Sequence, residues 1–244
     1  MILIKNFLFC ISLFAFCFFQ AQVLDEYPKK QDFYEGGLVN FYKEAHEYLI
    51  NNKFNECDSK EIYQPRFIVT KDSSVKLIKD SDTANISKNK CAYNISLELL
   101  KNLKNWKPAE VKGGKIAALA EFILYPKDVM SNYKLGYNAE NFVVFAQYPK
   151  GYEAFRKDFH KEFMSLFQDY HINGDVNLEF YIDQNGMISH PRIYPEISDH
   201  KFNVDFLRTL SRLKKTWKPS LYESIPIKQK ILYPINFSTN FYER

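Results

Sequence analysis

The chain has 244 residues and a formal net charge of +4, and 46% of its residues are apolar. The apolar fraction supports buried cores, and phenylalanine and tyrosine are unusually abundant. Lysine and glutamate are mixed along the sequence, which argues against a nucleic-acid-binding role.

Residues 1–22 are predicted to form a secretory signal. Lys5 provides a positive charge near its start, residues 7–19 form an apolar run, and Gln20-Ala21-Gln22 places a small residue near a plausible cleavage site. The run is shorter than the ~20 apolar residues of a membrane span, and an uncleaved anchor is the alternative. After cleavage we expect a periplasmic or secreted protein.

The next part of the chain predicts a helix and a β-hairpin. Residues 23–33 are a polar lead-in. After Gly36-Gly37, apolar residues recur at the four-residue spacing of a helix: Phe41, Ala45 and Leu49. Alternation of apolar and polar residues predicts a strand over residues 65–69, with its turn and return strand at 71–74 and 75–78.

A loop, a second helix and a strand follow. Residues 79–90 are polar without apolar periodicity and predict a loop. The second helix has one apolar face, formed by Ile95, Leu99, Leu103 and Trp106. The last strand of this half is predicted from Ile116 to Tyr125.

Two cysteines remain after the predicted signal, Cys57 and Cys91. In an oxidising compartment such a pair favours a disulfide bond, and two thiols buried in the core are the alternative. The pair has no close Cys-x-x-Cys or histidine partner, so a zinc site is not expected. We predict no metal and no cofactor.

Residues 129–147 are predicted to link two domains, 23–128 and 148–244. The segment contains Gly136 and few periodic apolar residues. After it, phenylalanine recurs every four residues on one helical face: Phe155, Phe159, Phe163 and Phe167. An aromatic stripe of this kind indicates a core face in preference to a ligand site.

The second half continues with a hairpin, a helix and a long strand. Residues 176–182 alternate as a half-buried strand does, Gln184-Asn185-Gly186 has the residues of a tight turn, and the return strand is Met187–Tyr194. A helix is then predicted with one apolar face, formed by Phe206, Leu210, Leu213 and Trp217. Pro219 ends it, and Ile225–Phe237 is the last strand.

The same plan occurs twice along the chain. Trp106-Lys107-Pro108 recurs 111 positions later as Trp217-Lys218-Pro219, and Tyr125-Pro126 recurs 108 positions later as Tyr233-Pro234. Three further residues recur 114 positions later: Gly37, Phe41 and His46 as Gly151, Phe155 and His160. Nearly constant offsets in the same order indicate an internal duplication and hence two domains of ordinary size.

The second half resembles the C-terminal domain of TonB-type proteins. The resemblance rests on the order of strand, Asn-Gly turn, strand, helix, Trp-Lys-Pro and long strand, carried by residues 176–186, 217–220 and 233–237. It implies an α+β fold in which two helices pack on a three-stranded antiparallel sheet. Together with the duplication, it leads us to expect two tandem domains of this kind.

The resemblance also implies a binding edge. In the family, a short segment of an outer-membrane transporter adds as an extra strand beside the last strand, and backbone groups supply most of the hydrogen bonds. Transferred by position, the candidate edge here consists of Ile227, Lys228, Gln229, Lys230, Ile231, Leu232 and Tyr233. The matching edge in the first half is Ala117–Tyr125.

Two departures from the family change the expected role. TonB itself has an uncleaved membrane anchor and a Pro-rich spacer, whereas this chain has a cleavable-looking signal and no Pro-rich spacer. A binding or adaptor module with a protein or peptide partner therefore fits better than an energy transducer. One alternative is a structural envelope protein that pairs its edges with a second copy, as a homodimer, or with cell-wall material. Another is an unrecognised envelope enzyme.

An enzymatic function is not expected. The sequence has no Gly-rich phosphate loop, no Gly-x-Ser-x-Gly elbow and no His-Glu-x-x-His motif. His46 and His160 occupy equivalent helix positions in the two halves, which indicates a surface or packing position copied by duplication. No nucleophile is paired with a base in the sequence, so we predict no catalytic residue.

Overall fold

The computed structural model describes residues 23–166, 174–213 and 216–237. The chain divides into two compact units, one ending at Asn138 and the other beginning at Ala139. Within the described ranges the fold is mixed α+β, with six α-helices and sheets that include two antiparallel three-stranded ones. The predicted signal and Phe167 lie outside these ranges.

The first unit contains four helices and five strands among its described residues. The helices are α1 (Gly37–Asn51), α2 (Thr83–Lys88), α3 (Lys90–Asn102) and the single turn α4 (Pro126–Val129). The strands are β1 (Val23–Leu24), β2 (Arg66–Val69), β3 (Val75–Leu77), β4 (Ala109–Val111) and β5 (Gly114–Glu121). Helix α2 begins after Asp82, whose carboxylate accepts the Asn85 N–H, in a segment predicted as a loop.

The sheet of the first unit has five strands, in contrast to the three expected. Strand β5 pairs antiparallel with β2 and β4, β2 pairs with β3, and β1 joins β5 in parallel. Strand β4 forms because the left-handed backbone of Lys112 and Gly113 closes a tight hairpin between residues 111 and 114. Strand β1 arises from the lead-in, which has no strand pattern of its own.

An aromatic cluster forms the core of the first unit. Phe41 of α1 and Phe67 of β2 are fully buried, and both lie against Trp106, with ring centroids 5.9 and 5.3 Å away. Phe122 closes the cluster at 4.6 Å from Phe41. Aromatic residues bury large apolar areas, so a cluster of this size supplies much of the driving force for folding of this unit.

The second unit contains two long helices and six strands in its described part. The helices are α5 (Tyr152–Leu166) and α6 (His200–Arg212), and a 3₁₀ turn covers Ala139–Phe142. The strands are β6 (Val143–Val144), β7 (Gly174–Ile182), β8 (Ile188–Tyr194), β9 (Ser220–Tyr222), β10 (Ile225–Ile227) and β11 (Gln229–Phe237).

Two antiparallel three-stranded sheets are present in this unit, in the orders β11-β7-β8 and β10-β9-β6. Helices α5 and α6 pack on the first of them through a core of mainly aromatic residues. Phe155, Phe159 and Phe163, predicted as a core stripe, are all fully buried in this core. The residues of β11 that face it alternate along the strand: Ile231, Tyr233, Ile235 and Phe237.

Equivalent residues make equivalent contacts in the two units. Trp217 lies 5.2 Å from Phe155, as Trp106 lies close to Phe41. The hydroxyl of Tyr148 donates to Asp158 at 2.8 Å, and Tyr34, 114 positions earlier, donates to Glu44 in the same way. The register also matches, because Phe67 pairs with Ala120 as Phe180 pairs with Ile231. These shared contacts support the internal duplication inferred from the sequence.

Both tryptophans lie beyond the helices to which the sequence assigned them. Helix α3 ends at Asn102 and α6 at Arg212, so Trp106 and Trp217 stand on extended chain. The backbone on either side of Trp106 bonds to the lead-in, since Glu35 N–H donates to Asn105 and Lys107 N–H donates to Phe33. These bonds use groups that a continuing helix would have used internally.

The segment predicted as a linker is ordered in both units. Tyr137 is buried in the first unit, where its ring lies 4.9 Å from that of Tyr42. In the second unit β6 pairs with β9, and Gln147 pairs with Lys218. The segment shows no apolar periodicity in its sequence, because it is held by short strand pairings and single buried side chains and has no long helix or strand with one buried face.

The Asn185-Gly186 turn holds the hairpin against the chain at Trp217. Gly186 has a φ of +79°, and its carbonyl oxygen accepts the Trp217 N–H at 3.0 Å. A Cβ at Gly186 would lie 2.0 Å from the Trp217 carbonyl oxygen. Glycine is therefore required here by both its backbone conformation and the close approach of the chain at Trp217.

We expect Gly186→Ala to lower the free energy of unfolding of the second unit by roughly 2–3 kcal/mol. The matched control is Gly113→Ala, because Gly113 also has a positive φ, +78°, but its Cβ would meet nothing within 4 Å. The control should cost only about 1 kcal/mol. Urea denaturation of both variants measures the difference, and equal losses would mean that the approach of Trp217 is unimportant.

No helix in the described ranges is both long and apolar enough to cross a membrane.

Candidate functional site: the outer edge of strand β11

Strand β11 has one partner among the residues that the structure describes. It pairs along its whole length with β7, from Gln229 opposite Ile182 to Phe237 opposite Gly174. No other described strand pairs with its second side, which makes β11 an edge strand of nine residues. An edge of this kind carries a row of backbone groups that can accept a further strand.

Pro234 indicates which backbone groups face this outer side. Proline has no N–H, and within sheets it occupies positions where the nitrogen faces away from the neighbouring strand. Because alternate residues of a strand face the same side, Lys230 and Leu232 direct their N–H and C=O groups outward with Pro234. Ile231 and Tyr233 then bond to β7.

The first unit gives the same assignment independently. Tyr63 and Leu124 exchange two backbone hydrogen bonds, of 2.9 and 2.8 Å, in the register of the β2–β5 pair. Leu124 therefore faces β2, and so do alternate residues back along β5, which include Ala120. Ala120 corresponds in register to Ile231, which accordingly faces β7.

The sequence prediction placed the whole candidate edge, Ile227–Tyr233, on one strand, and the structure divides it. Ile227 is buried and ends β10, where it pairs with Ser220 of another sheet. Lys228 lies between the two strands, with its ammonium group 4.6 Å from the centre of the Tyr181 ring. Gln229, Lys230, Ile231, Leu232 and Tyr233 belong to β11.

The start of the edge is tied to the chain that precedes α5. The side-chain oxygen of Gln229 accepts the Ala146 N–H at 2.7 Å. Phe145, the residue before Ala146, is 66% exposed, and Leu232 on the edge itself is 46% exposed. The edge thus combines outward backbone groups with two apolar side chains that a bound segment could cover.

A charged network crosses the outer face of the same sheet. Glu179 of β7 is buried and accepts two hydrogen bonds from Arg192 of β8, at 2.7 and 2.9 Å. Lys230 of β11 lies 2.9 Å from the same carboxylate. The network therefore connects side chains of all three strands across the sheet.

The network also determines the charge of Glu179. Burial would raise the pKa of this carboxyl group, but hydrogen bonds from Arg192 and Lys230 outweigh burial and hold the pKa below its usual value. Glu179 is therefore ionised at neutral pH. On the helix side of β11, burial raises the pKa of Tyr233 to about 12, so its phenol is neutral there.

The matching edge in the first unit is shorter than predicted and is occupied. The sequence predicted a strand from Ile116 to Tyr125, but β5 ends at Glu121 and Tyr125 precedes the turn α4. Ala117 and Ala118 pair in parallel with Val23 and Leu24 of β1. No signal for this pairing is visible in the sequence, because the lead-in from Val23 shows no strand periodicity.

Cys57 and Cys91 form a disulfide bond, the pairing that the sequence favours, with their Cα atoms 5.6 Å apart. Glu61 lies beside them, and its carboxylate accepts the N–H groups of Cys91 and Ala92 at 2.7 and 3.1 Å. The sulfur atoms are bonded to each other and the carboxylate completes the start of α3. These three residues therefore serve the fold, and their arrangement does not suit a metal ion.

The histidine repeated in both halves serves packing where the structure shows it. The Nδ1 atom of His46 lies 2.8 Å from the Val129 carbonyl oxygen, and its ring stacks on Tyr133 with centroids 4.1 Å apart. These contacts hold α4 against α1.

Comparison with protein-family models, curated proteins and solved structures finds no match to this chain.

Proposed function

We propose that this protein is a binding module of the cell envelope that recognises an extended peptide segment by strand addition at β11. The observation that carries the proposal is the nine-residue edge, which pairs with β7 alone among the described residues. An added strand would bond to the outward backbone groups of Lys230 and Leu232 and would cover the Leu232 side chain. This mode depends on main-chain groups and needs few specific side chains.

The resemblance to TonB-type C-terminal domains supports the same mode. Strands β7, β8 and β11 follow the order hairpin, helix, long strand, and β7 lies between the other two. We propose that the two units are tandem domains of this type. In the family the added strand belongs to an outer-membrane transporter, and such a transporter is the partner class we propose first.

A periplasmic or secreted location agrees with this function. The Cys57–Cys91 disulfide suits an oxidising compartment, where such bonds persist. The apolar segment at residues 7–19 supports export. In that location the protein would act as an adaptor, and no catalytic step is part of the proposal.

Self-association is the second candidate function. Phe145 and Leu232 are exposed beside an edge that could pair with its copy in a second molecule. A homodimer formed in this way would act as a structural envelope protein. Self-association predicts concentration-dependent sedimentation of the protein without any peptide. The substitutions that block an added strand should also weaken this association.

The proposal is tested by comparing Leu232→Pro with Leu232→Ala. The proline removes an N–H on the outer side of β11 and no bond to β7, whereas the alanine keeps the N–H and removes only the side chain. Peptides selected on the wild-type protein from a displayed library of random eight-residue sequences should bind Leu232→Pro at least tenfold more weakly. Fluorescence polarisation with the selected peptides measures this.

The alanine variant should retain most of the affinity, because backbone groups supply most of the bonds. Circular dichroism should show the same folded content for both variants. If selection yields no peptide, or if the selected peptides bind Leu232→Pro as well as wild type, strand addition at β11 is wrong.

A further inference from the structure

The acceptor edge of the first unit already holds a strand. Val23 pairs with Ala117 and Leu24 with Ala118, in parallel, while β2 pairs with Ala118 from the other side. Strand β1 therefore occupies the outer side of β5, the side that corresponds to the open edge of β11. The position equivalent to an added strand is filled by the chain's own residues.

The register makes the two edges directly comparable. Val69 pairs with Ala118 in the first unit, as Ile182 pairs with Gln229 in the second. Ala118 and Gln229 are therefore equivalent positions. Leu24 lies beside Ala118 in the first unit, and the equivalent position in the second unit is the one beside Gln229 on the outer side of β11. No described strand occupies that place on β11.

The duplication explains why the described chain offers no counterpart of β1 on β11. At the offset of 114 that relates Gly37, Phe41 and His46 to their counterparts, Val23 and Leu24 correspond in position to Tyr137 and Asn138. Tyr137 is buried in the first unit against Tyr42. It is therefore part of the core of that unit and does not serve as a covering strand for β11.

Strand β1 has few anchors of its own. Its described part is Val23 and Leu24, and Val23 is 41% exposed. The chain behind it is held by the Tyr27 hydroxyl, which donates to the Lys107 carbonyl at 2.7 Å. Gln31 also holds it through two hydrogen bonds with the Glu110 backbone, at 2.9 and 2.8 Å. A short strand with an exposed side chain is the type of segment that opens locally without global unfolding.

We propose that the Val23–Leu24 segment is an intramolecular ligand that closes the acceptor edge of the first unit. The edge is a strand-binding site, and its ligand is an extended segment of two apolar residues followed by Asp25 and Glu26. Because the site is filled, external segments reach β11 and are excluded from β5. The proposal extends strand addition to the first unit, and its test does not require a partner for the second.

The test removes β1 from the outer edge of β5 by mutation and adds the Val23–Leu24 segment back as a separate peptide. In the variant Val23→Pro/Leu24→Pro, neither residue can donate a backbone hydrogen bond, so β1 cannot pair with β5. The probe is a fluorescein-labelled peptide with the sequence of residues 23–30. It should bind this variant at least tenfold more tightly than it binds wild type. Hydrogen exchange at residues 117 and 119, whose N–H groups face away from β2, should speed up in the variant and slow again when the probe is added.

Two further variants separate pairing from side-chain effects. Val23→Ala/Leu24→Ala keeps both N–H groups, so its edge should stay closed and its probe binding should resemble that of wild type. Adding Ala117→Pro to the double-proline variant removes an acceptor-edge N–H, and probe binding should be lost.

The proposal is wrong if the probe binds wild type and the double-proline variant equally, or binds neither. If the double-proline variant does not fold, exchange in the wild-type protein decides the question. A saturating excess of unlabelled probe should then accelerate exchange at residue 24 while exchange at residues 117 and 119 stays slow, and no change would overturn the proposal. These results for β5 do not depend on whether the selected peptides bind β11. The proposal for β1 and the proposed function of β11 can therefore be refuted separately.

Discussion

Replacing Phe155 with alanine should lower the free energy of unfolding of the second unit by about 3–5 kcal/mol. The Phe155 ring is fully buried and lies between two strands of this unit and the extended chain at Trp217. Its centroid is 5.9 Å from Phe180 of β7, 5.1 Å from Tyr233 of β11 and 5.2 Å from Trp217. Alanine would leave a cavity at this junction, and neighbours held by other contacts can close it only in part.

Hydrogen exchange of β7 amides is a suitable measurement, because this central strand reports the stability of its own unit. Amides of β2 provide an internal control in the first unit and should keep their protection. Phe145→Ala is the matched control, since this phenylalanine is 66% exposed and its removal should change stability by less than about 0.5 kcal/mol. Equal effects of the two substitutions would contradict the packing described for Phe155.

Removing the disulfide should lower the free energy of unfolding of the first unit by roughly 3–4 kcal/mol. Cys57 and Cys91 are 34 residues apart, and the bond restricts a loop of that length in the unfolded chain. The variant Cys57→Ala/Cys91→Ala lacks the bond without leaving thiols. Thermal or urea denaturation measures the loss of unfolding free energy. Hydrogen exchange of β2 amides assigns this loss to the first unit.

The reductant dithiothreitol provides the control for this prediction. It should destabilise the wild-type protein to a similar extent and should have no effect on the double-alanine variant. Exchange in β7 should stay unchanged in both, because the bond lies within the first unit. Two thiols titrated in the denatured, unreduced protein would show that the bond is not formed.

The elements that depend on local periodicity could be predicted from the sequence. The alternation at residues 176–182 and the Asn185-Gly186 turn lie within the β7–β8 hairpin, and the phenylalanine stripe forms the buried face of α5. In each case the spacing of apolar residues reflects which side of one element is buried. The cysteine pair could be predicted for a similar reason, because only two candidates remained after the predicted signal.

Contacts between distant segments could not be predicted in this way. The tryptophans continue the apolar spacing of their helices, yet backbone bonds to Phe33 and to Gly186 hold the chain around them extended. The last strand of the second unit looks continuous in sequence, but Ile227 pairs in one sheet and Gln229 in another. Apolar spacing describes one element at a time and does not encode which element will be its neighbour.

The sequence by itself determined the α+β class and the repeated plan, because these follow from spacing and turn chemistry. The candidate edge was transferred by position from the resemblance, and only its residues from Gln229 to Tyr233 lie on β11. Only the tertiary structure decided which edge is occupied. Val23 and Leu24 carry no strand signal, and their pairing with Ala117 and Ala118 depends on a strand more than 90 residues away. Backbone hydrogen bonds between distant segments require no particular side chains, so the sequence leaves them unmarked until the chain has folded.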